Sequence, residues 1–266
     1  MNEERVRVEL SDNIATVTLA RPEKHNALDM AMFEAIVAAA EQLAASPGVR
    51  AVVLHGEGPS FCSGLDLVSL MSSDTAGLDR SLDTLGGAVP NRLQRVAYDW
   101  IKLPVPVIAA VHGNCLGGGL QIALGADIRI ATPDARLSVM EVKWGLIPDM
   151  SITQTLPRLV GIDVAKELTF TGRVFSGEEA LRLGVVTRVA RDPLADAQEL
   201  AAEIAGRSPD AIRGAKRLLD RSWNRPPEET LALEAAIQAR LIGSVNQLAA
   251  VTAGVTKQPP MFADPD

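Results

Sequence analysis

Aromatic residues are scarce in this sequence, and its 26 basic residues are outnumbered by 33 acidic ones. Phe, Trp and Tyr make up 3% of the 266 residues, so the chain offers few rings on which unpaired bases could stack. The formal net charge of -7 repels a phosphate backbone over most of the surface. We therefore expect no nucleic-acid partner.

Cysteine and histidine are also rare. The two cysteines, Cys62 and Cys115, are far apart in the sequence and form no CxxC pair, which argues against a zinc site or a disulfide framework and is typical of a reducing, cytoplasmic location. His25, His55 and His112 show no HExxH spacing. A GxGxxG nucleotide fingerprint is missing as well. These patterns predict neither a metal nor a redox cofactor.

The sequence lacks the marks of export and of membrane insertion. Its start, "MNEERVRVEL", alternates apolar with charged residues, unlike a signal peptide. No charged side chain lies between Lys102 and Asp127, but prolines, glycines and polar residues interrupt this stretch. The pattern favours a buried strand and a short helix, so we expect no membrane association.

Strand and helix patterns alternate along most of the chain. "RVRVEL" and "IATVTLA" predict a β-hairpin, and "LDMAMFEAIVAAAEQLAAS" predicts a helix capped by Asp29. The alternation continues with strands in "RAVVLHG", Pro106 to Val111, "DIRIAT" and "ARLSV", and with helices after the glycine triplet, in "SITQTLPRLV" and in "DVAKELTFTG". The order predicts an α/β fold with a mostly parallel sheet buried on both faces.

The character of the sequence changes after "GVVTRVA", where only helical patterns follow. They are "ADAQELAAEIAGR", "PDAIRGAKRLLDRS" and "PEETLALEAAIQARLIGSVNQLAAVTAG". We therefore predict a core of residues 1–191 and a helical region of residues 192–266, which packs on the core or on a neighbouring subunit. Residues 72–90 are rich in Ser, Asp and Gly and predict a mobile surface loop.

Two glycine-containing turns are candidates for binding an anion. The triplet Gly117 to Gly119 precedes a helix, where backbone N–H groups could hold an oxyanion, although the triplet by itself favours a tight turn with close helix packing. In "GPSFCSGLDL", Gly64 would let the Leu65 amide face outward, or Asp66 could simply stabilise a helix start. Cys62 and Ser63 are of nucleophile type, but the GxSxG elbow is missing.

Two carboxylates stand among apolar residues in "RLSVMEVKWGLIPDMS". Apolar surroundings raise the pKa of a carboxyl and suit Glu141 and Asp149 to proton transfer. Alternatively, Glu141 is a surface charge at a strand end and Asp149 is a helix N-cap. In "ARPEKHNALD", turn residues lead to a helix start at Asn26 or Asp29, and Arg21 and Lys24 could also face a phosphate group.

The motifs "RPEKHNALD", "FCSGLDL", "HGNCLGGGLQIALGADIRI" and "EVKWGLIPD" resemble, in this order, the enoyl-CoA hydratase/isomerase family, or crotonase superfamily. The resemblance covers nearly the whole chain. It implies a crotonase-like spiral of repeated β-β-α units, a C-terminal helical trimerisation region, trimers often paired into hexamers, and a CoA thioester as substrate. CoA would arrive with the substrate, so the resemblance adds no separate cofactor.

The resemblance also implies roles for particular residues. The backbone N–H groups of Leu65 and Gly118 would hold the thioester oxygen and stabilise an enolate. Lys24 and Ala27 would lie near the CoA moiety, and Lys257 and Phe262 near its adenine end, across a subunit boundary. Further substrate contacts are implied at Ser63, Asp66, Leu67, Gly117 and Met140.

Gln121 departs from the pattern of the hydratases. In those relatives two glutamates hold a water molecule, one at the position of Glu141 and one at the position of Gln121. An amide binds water but does not accept and return a proton at neutral pH. Dienoyl-CoA isomerases carry an aspartate at the position of Gln121 and another at that of Asp149.

We therefore predict an enoyl-CoA isomerase in which Glu141 is the principal base, Asp149 a second acid or base, and Gln121 an orienting group. A hydratase with Glu141 acting alone is the alternative. A non-catalytic scaffold that binds CoA or RNA is a further one.

Overall fold

The computed structural model describes residues 4–72 and 89–265. It opens with the predicted hairpin, whose strands β1 (Val6–Ser11) and β2 (Ile14–Leu19) pair antiparallel. Asp12 and Asn13 form the two-residue connection and both have positive φ, the conformation that short hairpin turns require and that Asp and Asn tolerate. The sequence pattern therefore placed both strands and the turn correctly.

A six-stranded sheet forms the centre of the described structure, in the order β1-β2-β3-β4-β6-β9. Its later strands are β3 (Ala51–Gly56), β4 (Val107–Val111), β6 (Ile128–Ala131) and β9 (Arg188–Val189). Within this sheet, every pairing beyond the hairpin is parallel, which confirms the predicted mostly parallel sheet.

A second, three-stranded sheet lies beside the first. It consists of β5 (Asn114–Leu116), β7 (Arg136–Ser138) and β8 (Phe175–Ser176), in the order β5-β7-β8. The units β4-β5 and β6-β7 each take one strand from either sheet and lead on to a helix, so the chain advances in β-β-α turns. The sequence did not reveal β5, a strand of three residues that lies between a predicted strand and the glycine triplet.

Helices surround the two sheets. Their bounds are α1 (Met30–Ala44), α2 (Leu67–Ser72), α3 (Arg92–Lys102), α4 (Gly118–Leu124), α5 (Ile162–Thr171), α6 (Gly177–Leu183), α7 (Pro193–Ala205), α8 (Pro209–Ser222), α9 (Pro227–Leu241) and α10 (Val245–Thr256). Asp29 caps α1 as predicted, since its Oδ1 accepts the Met32 N–H at 2.8 Å. Most of the predicted loop at 72–90 lies outside the described residues.

The main sheet is buried on both faces, as predicted. On β3, Val52 and Leu54 join the main apolar core, while Ala51 and Val53 face the other side. That second face is covered by α7 through small residues such as Ala197 and Ala201, which let the helix lie close to the strands. The alternation of faces along each strand thus produces two apolar layers.

Two helix predictions were wrong. "SITQTLPRLV" forms two short 3-10 turns, Ile152–Gln154 and Leu156–Arg158, because Pro157 lacks the N–H that a continuous helix needs. The last predicted helix is divided into α9 and α10. Gly243, with φ of 78°, turns the chain between them, and the Ser244 hydroxyl caps α10.

Within residues 4–72 and 89–265, no helix is long and apolar enough to cross a bilayer. The uncharged stretch after Lys102 instead contains β4, β5 and α4.

Candidate active site

Two sharp turns meet beyond the carboxyl ends of β3 and β4. Gly64 has φ of 89° and Gly117 has φ of 52°, conformations that favour glycine. A Cβ atom on Gly64 would lie 2.8 Å from the Leu116 carbonyl oxygen and 3.7 Å from the Gly118 nitrogen. The Leu116 N–H donates to the Cys62 carbonyl at 3.0 Å, which fastens the turns to one another.

Each of these turns carries an unused backbone donor. The neighbouring Asp66 and Gly117 N–H groups donate to Leu28 and Ser138 at 3.0 and 2.8 Å. The N–H groups of Leu65 and Gly118, by contrast, donate to no acceptor among the described residues. An oxygen atom bound between the turns could accept from both, which is the arrangement of an oxyanion hole.

Glu141 lies beside the glycine turn. It begins a 3-10 turn, Glu141–Trp144, and is only 6% exposed, so the interpretation as a surface charge was wrong. A Cβ atom on Gly117 would lie 3.2 Å from its Oε1, which puts the carboxylate one residue away from the Gly118 N–H. Its Oε2 is buried without a hydrogen-bond partner in the described structure. That oxygen is therefore available to accept a proton.

Gln121 fixes the other oxygen of this carboxylate. Its side chain is 1% exposed, and its Nε2 donates to Glu141 Oε1 at 2.7 Å. The Met150 backbone N–H in turn donates to Gln121 Oε1 at 2.9 Å, and this bond determines which end of the amide faces the glutamate. The glutamine therefore connects the helix after the glycines to the segment that carries both acids.

The surroundings of the two acids raise the pKa of each. Burial raises the pKa of the Glu141 carboxyl, the hydrogen bond from Gln121 opposes this, and the charge of Asp149 adds to it. Burial also raises the pKa of Asp149. The N-cap interpretation of Asp149 was wrong, because the N-cap position of the following 3-10 turn, Ile152–Gln154, is Ser151, and no side chain caps that turn.

The Arg21 side chain binds other groups of the protein. Its Nη1 donates to the Ala27 carbonyl at 3.0 Å and pairs with Asp66 Oδ2 at 2.9 Å, so it is not free to face a phosphate group as its sequence context allowed. Asp66 also accepts the Ser69 N–H at 3.1 Å, which confirms its expected role at the start of α2. Lys24, in contrast, is exposed and forms no ion pair among the described residues.

Asn26 has a structural role that the sequence did not reveal. It is fully buried, accepts the Arg21 N–H at 2.8 Å and donates to the carbonyls of Glu57, Ser60 and Phe61. The helix that follows is instead capped by Asp29. Asn26 thus holds the "RPEKHNALD" turn against the segment that leads into the Gly64 turn.

The remaining predicted residues fall into two groups. The first group lies around the two turns. The Met140 Cγ is 4.0 Å from the position that a Cβ atom on Gly117 would take, and the Ser63 N–H donates to the His25 carbonyl. Ala27 is buried, and Leu67 is the first residue of α2.

Phe262 lies elsewhere within the chain. Its carbonyl accepts from Arg50, which precedes β3, whereas the Gly64 turn follows that strand. Lys257 follows directly after α10 as its C-cap residue.

The cysteines lie closer together than their sequence separation suggests. The backbones of Cys62 and Cys115 pair in an isolated parallel β-bridge. Both thiols are free, and both residues are fully buried. Burial raises the pKa of the Cys62 thiol to about 12. Cys62 is therefore a poor nucleophile and belongs to the core beneath the turns.

A β-β-α spiral with paired backbone donors next to a buried glutamate defines a crotonase-type enzyme. The family model for enoyl-CoA hydratase/isomerase matches residues 9–265. The chain therefore belongs to the enoyl-CoA hydratase/isomerase family, whose members act in acyl-CoA metabolism as isomerases or hydratases.

The relatives that are similar to the chain include isomerases and hydratases. The peroxisomal Delta(3,5)-Delta(2,4)-dienoyl-CoA isomerase of Arabidopsis thaliana is 35% identical, over 98% of this chain and 96% of the relative. The mitochondrial methylglutaconyl-CoA hydratase of Mus musculus is 32% identical, over 98% of this chain and 83% of the relative. The crystal structure of an enoyl-CoA hydratase from Bacillus anthracis aligns with a TM-score of 0.90 and 29% identity, over 98% of this chain and all 100% of that one.

Proposed function

We propose that the protein moves a double bond within an enoyl-CoA or dienoyl-CoA thioester. The observation that carries this proposal is the direct hydrogen bond of 2.7 Å between Gln121 Nε2 and Glu141 Oε1. This contact joins directly two side chains that, in the two-glutamate pattern of the hydratases, hold a water molecule between them. It also leaves only one proton-transferring carboxylate of that pair.

The thioester oxygen binds between the two glycine turns. It accepts hydrogen bonds from the N–H groups of Leu65 and Gly118, which have no acceptor among the described residues. Removal of a proton from the acyl chain places negative charge on this oxygen. Each fixed donor stabilises that charge by about 3 kcal/mol in the transition state.

Glu141 moves the proton. Its free Oε2 takes a proton from one carbon while the C–H electron pair enters the thioester enolate, and the proton then returns to another carbon. Substrate and product have the same composition, so the reaction consumes no water. Burial raises the pKa of Glu141, which makes its carboxylate a stronger base for taking the proton. Asp149 acts as the second acid or base, and Gln121 holds Glu141 in orientation.

The substrate's CoA part lies along the "RPEKHNALD" turn in this proposal. The exposed ammonium group of Lys24 faces its phosphates and Ala27 lies beside it. Ser63, Asp66, Leu67, Gly117 and Met140 line the path towards the two turns.

We also propose that the chain forms a homotrimer or a hexamer of paired trimers. Large apolar side chains on α9 and α10 are exposed in the single chain, among them Leu231, Leu248, Val251 and Val255. Contact between subunits would bury them. It would also bring Lys257 and Phe262 of one subunit to the adenine end of a CoA molecule bound by the next.

An assay in deuterated buffer tests the reaction. Purified protein is given 2-enoyl-, 3-enoyl- and dienoyl-CoA thioesters, and the products are analysed by mass spectrometry. We expect a shifted double bond with deuterium incorporated and no hydroxyacyl product. A hydroxyacyl product would instead favour hydration by Glu141 alone, the second candidate, which the similarity to a hydratase supports.

Glu141→Gln tests the assignment of the base. We expect the variant to lose at least 1,000-fold in kcat while its affinity for a CoA thioester stays within about threefold. Glu234→Gln is a matched control, because this glutamate lies exposed on α9, far along the chain from the two turns. Normal turnover by Glu141→Gln would refute the assignment.

A further inference from the structure

A cleft lies at the opposite end of the main sheet's parallel strands from the candidate active site. It has a volume of about 790 Å³ and is bounded by α3, α8 and α9. Leu103 and Pro104, which lead into β4, form part of its wall. The cleft is therefore near the amino ends of the parallel strands, whereas the Gly64 and Gly117 turns follow their carboxyl ends.

The cleft concentrates positive charge in an acidic protein. Seven of its lining residues are Lys or Arg, and only Asp210 and Asp220 are acidic, although the chain as a whole has a formal net charge of -7. On α8, Arg213, Arg217 and Arg221 follow one another at four-residue intervals, so they lie along one helix face. Such a row of like charges destabilises a helix unless an anion neutralises it.

Other elements add to this row of arginines. α3 contributes Lys102, the 3-10 turn Leu156–Arg158 contributes Arg158, and α9 contributes Arg240. Basic groups thus face the cavity from four separate elements of the fold. A patch built from one helix alone would not enclose a ligand in this way.

Some of the polar groups in the cleft already have structural partners. Lys216 is buried, pairs with Asp127 at 2.7 Å and donates to two carbonyls, and Asp210 accepts from Asn246 at 2.8 Å. Arg213 donates to the Pro47 carbonyl at 3.0 Å. These contacts hold the walls of the cleft together.

Three other cationic side chains in the cleft are available to bind a ligand. Arg217, Arg221 and Arg240 form no ion pair with any carboxylate in the part of the chain that the structure describes. Guanidinium groups bind phosphate oxygens in a two-pronged geometry. A cavity of this volume also falls within the range of about 300 to 1,000 Å³ that is usual for small-molecule sites.

We propose that this cleft binds a small polyanion with at least two phosphate groups, of the nucleoside diphosphate or triphosphate class. Its phosphates pair with Arg217, Arg221 and Arg240, and the rest of the molecule fills the cavity between α3 and α9. This site is separate from the one that takes the thioester.

Calorimetric titration with ATP tests the proposal on the full-length protein. We expect binding that weakens at least tenfold between 50 and 300 mM salt, as a multi-arginine contact predicts, and displacement of ATP by inorganic pyrophosphate. Binding of ATP that pyrophosphate does not displace would refute the proposal, because the phosphates would then not be the group recognised. Failure of ATP to bind would refute it as well.

Charge reversal locates the site. Arg217→Glu combined with Arg221→Glu should weaken ATP binding at least 30-fold while leaving thioester turnover unchanged. Arg182→Glu combined with Arg191→Glu is the matched control, since both arginines are exposed, Arg182 lies on α6 and Arg191 between β9 and α7, and the change in net charge is identical. An equal loss in both double variants would overturn the assignment.

Two further variants keep the result interpretable. Arg240→Ala, which is on a different helix, should weaken ATP binding at least fivefold even if the α8 variant unfolds. Lys24→Glu should leave ATP affinity within twofold, because that lysine is proposed to face CoA at the other site. A large loss of ATP binding in Lys24→Glu, with Arg240→Ala unaffected, would mean that ATP occupies the thioester site.

Discussion

Replacing Gln121 by glutamate tests the contact on which the proposed reaction depends. The side chain keeps its length but loses the N–H group that now donates to Glu141 Oε1 at 2.7 Å. Two carboxylates then face one another in a site where the residue at 121 is 1% exposed and Glu141 is 6% exposed. We expect the pair to hold one proton between them at neutral pH.

The magnitude follows from the distance. Two unit charges 2.7 Å apart repel by about 6 kcal/mol at an effective dielectric constant of about 20. Keeping a proton on a carboxyl with an ordinary pKa of about 4.3 costs about 3.7 kcal/mol at pH 7, at about 1.4 kcal/mol per pH unit. Since the repulsion exceeds that cost, the folded variant retains the proton.

The retained proton makes the stability of the variant depend on pH. The folded-state pKa is raised above its unfolded value, so the folded state binds more protons and loses stability as the pH rises from about 4.3 towards the folded pKa. Relative to the wild type, Gln121→Glu should lose up to about 3 kcal/mol in unfolding free energy between pH 5 and pH 7.

Urea denaturation at pH 5, 6 and 7 measures this loss. Gln121→Met is the matched control, because it also removes the amide but introduces no second titrating group. A difference between Gln121→Glu and the wild type that stays constant with pH would show that the two side chains do not touch, and would remove the main support for an isomerase. With the contact intact, the variant should also gain hydration of 2-enoyl-CoA, since it has both glutamates of the hydratase pattern.

Three other variants or probes test the site. Asp149→Asn should lower isomerase kcat at least tenfold and leave the unfolding free energy within about 0.5 kcal/mol of the wild type, since Asp149 caps no helix; an unchanged rate would remove it from the mechanism. Arg21→Met should cost about 3 to 5 kcal/mol of stability in urea denaturation, because it leaves the Asp66 carboxylate without its cation. Wild-type stability would show that the pair contributes nothing. Cys62, with a pKa of about 12, should resist iodoacetamide at pH 8 in native protein, as mass spectrometry can check, and rapid alkylation would contradict its burial.

The sequence by itself determined the parts of the fold that depend on local backbone preferences. Apolar residues at every second position predicted the first hairpin, and Asp29 marked the start of α1. The glycines at 64 and 117 marked turns of positive φ, because other residues adopt that conformation at a cost. Such signals act over a few residues and can be read without knowing what lies nearby in space.

Tertiary structure alone decided how the acids are used. In the sequence, Gln121 is 20 residues away from Glu141 and 29 residues away from Met150. Only packing brings its amide between the Glu141 carboxylate and the Met150 backbone N–H. Packing likewise paired Arg21 with Asp66, an arrangement that the local sequence did not predict. Hydrogen bonds and pKa values depend on which groups share a low-dielectric interior, and local sequence patterns carry no information on that neighbourhood.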